Sequence, residues 1–522
     1  MNIASLIVAQ AQARPNKPAV VQAVRVGPRY EYPHYTFAQF ETRSNQIADR
    51  LSRAGITPGM RVLLFVKPRL DFSVITFALF KLGAVPVLID PGMGKKNLLQ
   101  AIREVKPSAM IAESIVHWMA LFERDTFSNI KFRFKVHSLL SGIEGESREF
   151  TQYPAEDNEV AAILFTSGGT GTPKGVITTH GILQNQTRML QEMFKLNESH
   201  VDLPGFPLFA LFTLAMGMTS VVPDMDPTKP AQCDPAKIVR TILEQQVTFA
   251  AGSPAIWERV AQYCVAQKIQ LPSLKTIAMF GAPVRGDLHE LFKFVLPFGN
   301  TYTPYGATEC LPVASIDGQT VLQSSIEKTK LGYGTCVGPA VLGNKIQIAP
   351  IADIPKGFPL NVGEILVQGP TVTPGYFERA DDTARAKISH ADGLIHRMGD
   401  VGWIDELGQL WFCGRLAHIV STGNNTFYPI PVEAIFNQHP SVKRSALIKL
   451  ERHGEIVAGL ALELKANASI DKTALTLLAQ AHTHTKEITN FFIHPGFPVD
   501  VRHNIKIDRK ALSQWAQGRS AL

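Results

Sequence analysis

Residues 163–176, ILFTSGGTGTPKGV, combine small residues, hydroxyls and a cation within one short run. Gly168, Gly169 and Gly171 let backbone amides approach an anion with no side chain in the way, and Thr166, Ser167, Thr170 and Thr172 add hydroxyl donors. Lys174 supplies positive charge, and the set as a whole suits a phosphate. It is not the familiar P-loop, which needs Lys followed by Ser or Thr at the start of a helix, because Lys174 stands between Pro173 and Gly175. Pro173 also disfavours helix continuation. The pattern therefore predicts a strand over residues 161–165, a loop, and a second strand over residues 175–179. A plain Gly/Thr hairpin shares this composition.

The elements around the loop read as α/β. Thr36 and Gln39 make a capping-box pattern ahead of Phe40, Ile47, Ala48 and Leu51, and Gly55 closes that helix. A strand over residues 61–66, an apolar helix over 72–82 and a strand over 84–89 imply a parallel sheet, and the alternation returns at 248–254 and 276–284. After about residue 360 the texture changes to short β-rich pieces bounded by glycine, GEILVQG and GQLWFCG. From Pro431 the chain returns to short helices and strands. The turn at 413–418 divides it into a domain of residues 1–417 and a smaller α+β domain of residues 418–522. The expected fold is thus α/β: a large N-terminal domain of parallel-type sheets with helices, a β-rich subdomain, and a compact C-terminal domain.

Bulk composition narrows the function classes. A chain of 522 residues is too long for one core, and 45% hydrophobic with 19% charged residues is ordinary globular composition. The net charge of +7 comes from 52 basic and 45 acidic residues with no dense Lys/Arg block, which implies mild attraction for anionic substrates and no nucleic-acid partner. Five cysteines without a CxxC pair argue for a reducing compartment, here the cytoplasm, and against a disulfide framework or structural zinc. The first residues, MNIASLIVAQAQARP, lack the basic region of a signal peptide. Residues 205–222, GFPLFALFTLAMGMTSVV, are uncharged and long enough to raise a membrane span, but Pro207 and the interspersed Gly and Thr favour a buried core or acyl-binding wall over a transmembrane segment.

Four more stretches join the loop: YGATE (305–309), RMGD (397–400), GR (414–415) and NIKIDRKAL (504–512). In this order and spacing the five resemble the adenylate-forming superfamily of acyl-CoA synthetases, luciferases and peptide-synthetase adenylation domains, over nearly the whole chain. The resemblance implies ATP and Mg²⁺. Thr166, Ser167, Gly168, Gly169, Thr170 and Lys174 would hold the β- and γ-phosphates, and Gly281, Ala282, Pro283, Tyr305 and Gly306 would border the nucleotide, with Tyr305 stacked on adenine. Glu309 would bind Mg²⁺ and Thr308 would touch the α-phosphate. Asp400 would accept both ribose hydroxyls, with Arg415 assisting at the ribose or phosphates. Lys506 would arrive on a mobile C-terminal domain to bridge the attacking carboxylate and the α-phosphate, so catalysis would need domain closure. Taken singly, Asp400 also reads as a turn residue, Glu309 as a surface carboxylate and Lys506 as one base of a solvated tail.

Three departures from the superfamily pattern bear on the second half-reaction. Ala210 stands where the family's PLFH motif has His, His418 and Asn424-Asn425 replace the usual hinge residues, and Ile505 replaces the Gly before the catalytic lysine. The stretches GFPLFALF (205–212), GMTSVVPDMDPTKPA (217–231) and VRHNIKIDRKAL (501–512) look closest to the β-lactone synthetase branch of bacterial long-chain olefin biosynthesis. That resemblance implies ATP-dependent adenylation of a 2-alkyl-3-hydroxy fatty acid, then attack of its own β-hydroxyl to close a β-lactone with loss of AMP. An internal nucleophile acts through effective concentration. The resemblance also leaves room for a multi-enzyme assembly with other olefin-pathway enzymes. A long-chain acyl-CoA synthetase, using coenzyme A, shares every adenylation residue, and a non-catalytic adenylate- or acyl-carrier-binding protein shares the fold. His418 and His503 are candidates by type for the base that takes the hydroxyl proton. Asp224 and Asp226 read as turn formers or functional carboxylates.

Overall fold

The computed structural model describes residues 1–145, 148–166, 172–351, 361–423, 425–499 and 507–522. Among these an eight-stranded sheet runs, edge to edge, Cys310–Asp317, Asn300–Ala307, Thr276–Met279, Phe249–Gly252, Val201–Pro204, Thr219–Val222, Pro18–Gln22 and His34–Thr36. Its interior pairings are parallel and only its two edges antiparallel. A six-stranded sheet follows the order Lys174–Thr179, Val160–Thr166, Val85–Ile89, Arg61–Phe65, Ala109–Ala112 and Phe132–Lys135, antiparallel only at its first pair. Strands covered on both faces need apolar residues at successive positions, and Ala109–Ala112 is buried throughout.

Helix Leu70–Leu82 is buried from Phe72 onward. Its Lys81 is tolerated there because Glu41 lies 2.7 Å from Nζ, with Asn45 and Ser44 accepting at 2.6 and 2.8 Å. The capping box on helix Phe37–Arg53 forms in both directions: Thr36 N donates to Gln39 Oε1 at 2.8 Å and Gln39 N to Thr36 Oγ1 at 3.2 Å.

The segment 205–222 folds as the short helix Phe209–Ala215 between strands Val201–Pro204 and Thr219–Val222. No helix among the described residues is long and apolar enough to cross a membrane. Asp202 is fully buried in this unit, where Thr213 Oγ1 and Ser220 Oγ donate to its Oδ2 at 2.7 and 3.2 Å. Burial pushes its carboxyl up to about 7.

The β-rich texture begins earlier than the expected residue 360. Thr335–Pro339 and Lys345–Ala349 already belong to an antiparallel sheet with Gly363–Gln368, Gly393–Ile404 and Gln409–Arg415. Both early strands are five residues long, and one ends in Gly338-Pro339, so they read as loop.

Beyond it, Val442–Arg452, Glu455–Leu464 and Asn490–Ile493 form a last sheet. Its core begins at Val420 and takes in Phe427, Val432, Phe436, Leu447, Leu460 and Phe491. The final helix, Arg509–Gln517, is tied to helix Pro429–Phe436 by Arg509 Nη2 and Glu433 Oε2, 3.0 Å apart.

Candidate active site

A cleft of about 3070 Å³ runs between the eight-stranded sheet, the antiparallel sheet and the C-terminal elements. Asp400 and Arg415 meet in it because they are directly opposed across the pairing of Gly393–Ile404 with Gln409–Arg415. Arg415 Nε lies 3.0 Å from Asp400 Oδ1, and the Asp400 charge raises the Arg415 pKa. On the other carboxylate oxygen, Tyr305 OH donates at 2.6 Å, joining the eight-stranded sheet to the antiparallel one. Burial, then the Asp400 charge, holds the Tyr305 phenol well above its ordinary range, so it remains a donor. Its ring packs at 5.9 Å on Phe412. Asp400 itself is buried, a carboxylate held by two donors at the cleft wall.

Glu309 and Thr308 form the two-residue turn between Asn300–Ala307 and Cys310–Asp317, since Ala307 pairs with Cys310. Gly306 is required there: a Cβ would meet the Cys310 carbonyl oxygen at 2.8 Å. Thr373 donates to the Glu309 main-chain oxygen from both N and Oγ1, each at 3.0 Å, and Tyr376 OH donates to Glu309 Oε1 at 2.9 Å. Behind Thr373 lies buried Lys387, whose Nζ reaches Thr373 Oγ1 at 3.2 Å and whose pKa burial lowers to about 8.

Lys174 sits at the start of its strand with Nζ 3.0 Å from Asp382 and 5.0 Å above the Tyr376 ring. Asp382 also accepts from Arg385 at 2.8 Å, and these hydrogen bonds, led by Arg385, lower its pKa to about 2. Gly375 and Phe377 hydrogen-bond to Ile177 and Gly175, which brings Tyr376 between Lys174 and Glu309.

Lys174, Gly281, Ala282, Pro283, Tyr305, Gly306, Thr308, Glu309, Asp400, Arg415 and His418 all line this one cleft. Ser167, Gly168, Gly169, Thr170, Asn424, His503, Ile505 and Lys506 lie outside the described residues, as does the Thr166 side chain. His418 is half-buried, and burial lowers it to about 4, leaving a neutral imidazole. Asp226 Oδ1 accepts from Thr228 N at 3.0 Å and Oγ1 at 2.7 Å, the bonding of a turn former. Asp224 braces Tyr30 OH at 2.7 Å and Lys237 at 2.8 Å.

Sequence reading missed Tyr376, Asp382 and Lys387. The partners of Tyr376 and Asp382 are 67 and 208 residues away, and only the GYFERADDT stretch, dense in charge after Gly375, marks these two.

The donor set fits a nucleotide with Mg²⁺. A buried carboxylate at the cleft wall suits hydroxyl recognition, and a carboxylate beside a threonine hydroxyl is a hard-oxygen pair. Among the described residues no group of three or more His, Cys, Asp or Glu could hold a metal. Mg²⁺ commonly binds through one or two carboxylates plus substrate phosphates and so needs no such cage.

Residues 7–377 match the model of the AMP-binding enzyme family. The chain belongs to that family. Within it, the chain is 41% identical over 511 residues to an olefin β-lactone synthetase of Xanthomonas campestris pv. campestris, covering 92% of this chain and 90% of the relative. It is 39% identical over 544 residues to an olefin β-lactone synthetase of Stenotrophomonas maltophilia, covering 99% and 98%. The crystal structure of ATP-bound MatB from Rhodopseudomonas palustris superposes with a TM-score of 0.80 at 20% identity, over 99% of both chains, which shows a shared fold. This AMP-binding enzyme therefore has the α/β architecture its sequence predicts, with the antiparallel sheet and the C-terminal sheet added to two parallel-type sheets.

Proposed function

We propose that the protein is an ATP-dependent β-lactone synthetase acting on a long-chain 2-alkyl-3-hydroxy fatty acid. The observation that carries this reading is the near-full-length identity of 39–41% to two olefin β-lactone synthetases. The cleft supports it physically, because the polar residues around Asp400 and Glu309 continue into a wall that includes Phe72, Phe80, Leu183, Phe209, Phe212 and Phe280. Such a wall suits alkyl chains and keeps water from a reactive adenylate.

In the first step the substrate carboxylate attacks the α-phosphorus of ATP and pyrophosphate leaves. In the second, the β-hydroxyl oxygen attacks the activated carbonyl carbon, the bond to the AMP oxygen breaks, AMP departs with the electron pair, and the hydroxyl proton passes to a base. In this reading Asp400 and Arg415 hold the ribose end, Tyr305, Gly281, Ala282, Pro283 and Gly306 border the base, and Thr166 through Thr170 with Lys174 hold the phosphates. Thr308 meets the α-phosphate. Glu309 holds Mg²⁺, which neutralises phosphate charge when bound. Lys506 belongs to a C-terminal domain of residues 418–522 that closes on the N-terminal domain of residues 1–417. The start of the C-terminal core at Val420 supports that division.

Five free, buried cysteines support a reducing, cytoplasmic setting. Assembly with other enzymes of an olefin pathway belongs to the same reading.

The test is product analysis by NMR after incubation with ATP, Mg²⁺ and a synthetic 2-alkyl-3-hydroxy acid, with and without coenzyme A. A β-lactone formed equally well without the thiol is the expected result. A thioester formed only with coenzyme A would make the protein an acyl-CoA synthetase.

A further inference from the structure

Exposed large apolar residues are scattered singly over most of the surface, at loop tips such as Phe298, Leu342 and Leu407, and need no explanation. Helix Ser114–Phe122, SIVHWMALF, is different. Within its nine residues Ile115 is 76% exposed, Trp118 65%, Leu121 54% and Phe122 82%. At about 100° per residue these four fall within an arc of roughly 120°. The opposite side, with buried Ala120 and the partly buried Val116 and Met119, packs on the core of the six-stranded sheet. The helix is therefore anchored by one apolar face and presents a second apolar face, centred on a tryptophan, to solvent.

Two further observations point to what covers that face. The first is charge. Glu113 accepts from Lys67 N at 3.3 Å at the start of the helix, Glu123 pairs with Lys95 at 2.8 Å at its end, and His117 lies 3.2 Å from the Phe134 carbonyl beside it. The segments so brought alongside expose Lys67, Lys96, Arg124, Arg133 and Lys135. Of the acids there, Glu113 and Glu123 are engaged and half-buried, and Asp125 is exposed. The second is position. Glu113, Ile115 and Val116 line the same cleft that holds the apolar wall, so the helix lies at its rim.

We propose that the outward face of helix Ser114–Phe122 seats the protein on an anionic lipid bilayer. Trp118, Leu121 and Phe122 enter the headgroup boundary and the flanking cations face lipid phosphates. Its purpose rests on the lipid substrate proposed above: an acid with long alkyl arms partitions into bilayers, and a cleft opening at the membrane surface receives it without passage through water.

The test uses the full-length protein without substrate, so its outcome is independent of whether a β-lactone is made. Binding to vesicles of phosphatidylglycerol and phosphatidylcholine, and of phosphatidylcholine alone, is measured by flotation. Expected is binding to the anionic vesicles that weakens with added salt, and a drop of at least ~10-fold in partitioning for the Trp118→Ser, Leu121→Ser, Phe122→Ser triple variant with an unchanged thermal melt. Quenching of tryptophan fluorescence by brominated lipid, lost in Trp118→Phe, gives a second readout. Absence of wild-type binding, or equal binding by the triple variant, overturns the proposal. So does a wild-type dimer in sedimentation that the triple variant converts to monomer with no vesicle binding, which would assign the face to a second copy of the chain.

Discussion

Asp400 carries two tasks at once: it anchors Arg415 and takes the Tyr305 hydroxyl, and in the proposed reaction it offers its oxygens to the ribose. Asp400→Asn keeps the shape and removes the charge, so the charge-assisted contacts weaken. A fall of about 100-fold in kcat/KM for ATP is expected in pyrophosphate exchange, against only a few-fold for Tyr305→Phe. Lys506→Ala should abolish adenylate formation while leaving nucleotide binding by calorimetry largely intact, and unchanged turnover would remove that residue from the reaction. Both sites were legible as residue types within motifs. Lys387 was not: a lone lysine in AKISH carries no signal until the fold places it behind Thr373 and the Glu309 turn.

At the scale of elements, Asp202 joins the helix Phe209–Ala215 to the strands on either side of it. Its folded pKa of about 7 lies above the unfolded value near 3.8. Between these values the unfolded chain ionises while the folded carboxyl keeps its proton, so this group makes stability fall as pH rises from about 4 to about 7. The loss at pH 8 is on the order of 4 kcal/mol. Asp202→Asn should flatten that part of the curve of Tm against pH, and an unchanged slope would show that other groups govern it. Thr36→Ala should cost about 1 kcal/mol in urea unfolding through loss of the reciprocal cap on helix Phe37–Arg53. That cap was readable because its partners are three residues apart. The strands Thr335–Pro339 and Lys345–Ala349 were not, because their pairing comes from across the sheet.

For the whole molecule, the Arg509 and Glu433 pair fixes the last helix against Pro429–Phe436. Arg509→Met leaves the Glu433 carboxylate buried without its cation, a loss of about 3 to 5 kcal/mol confined to the C-terminal elements. Hydrogen exchange should report faster opening there with the eight-stranded sheet unchanged, together with slower adenylation. Local sequence was sufficient to determine the alternation of strands and helices, the family motifs and the apolar run at 205–222, because hydrophobic period, caps and glycine positions act over a few residues. The tertiary structure alone decided that Asp400 faces Arg415, that Tyr376 stands between Lys174 and Glu309, and that a nine-residue helix turns Trp118 to solvent. Sheet register and packing between distant segments set those meetings, and neither is encoded in the spacing of nearby residues.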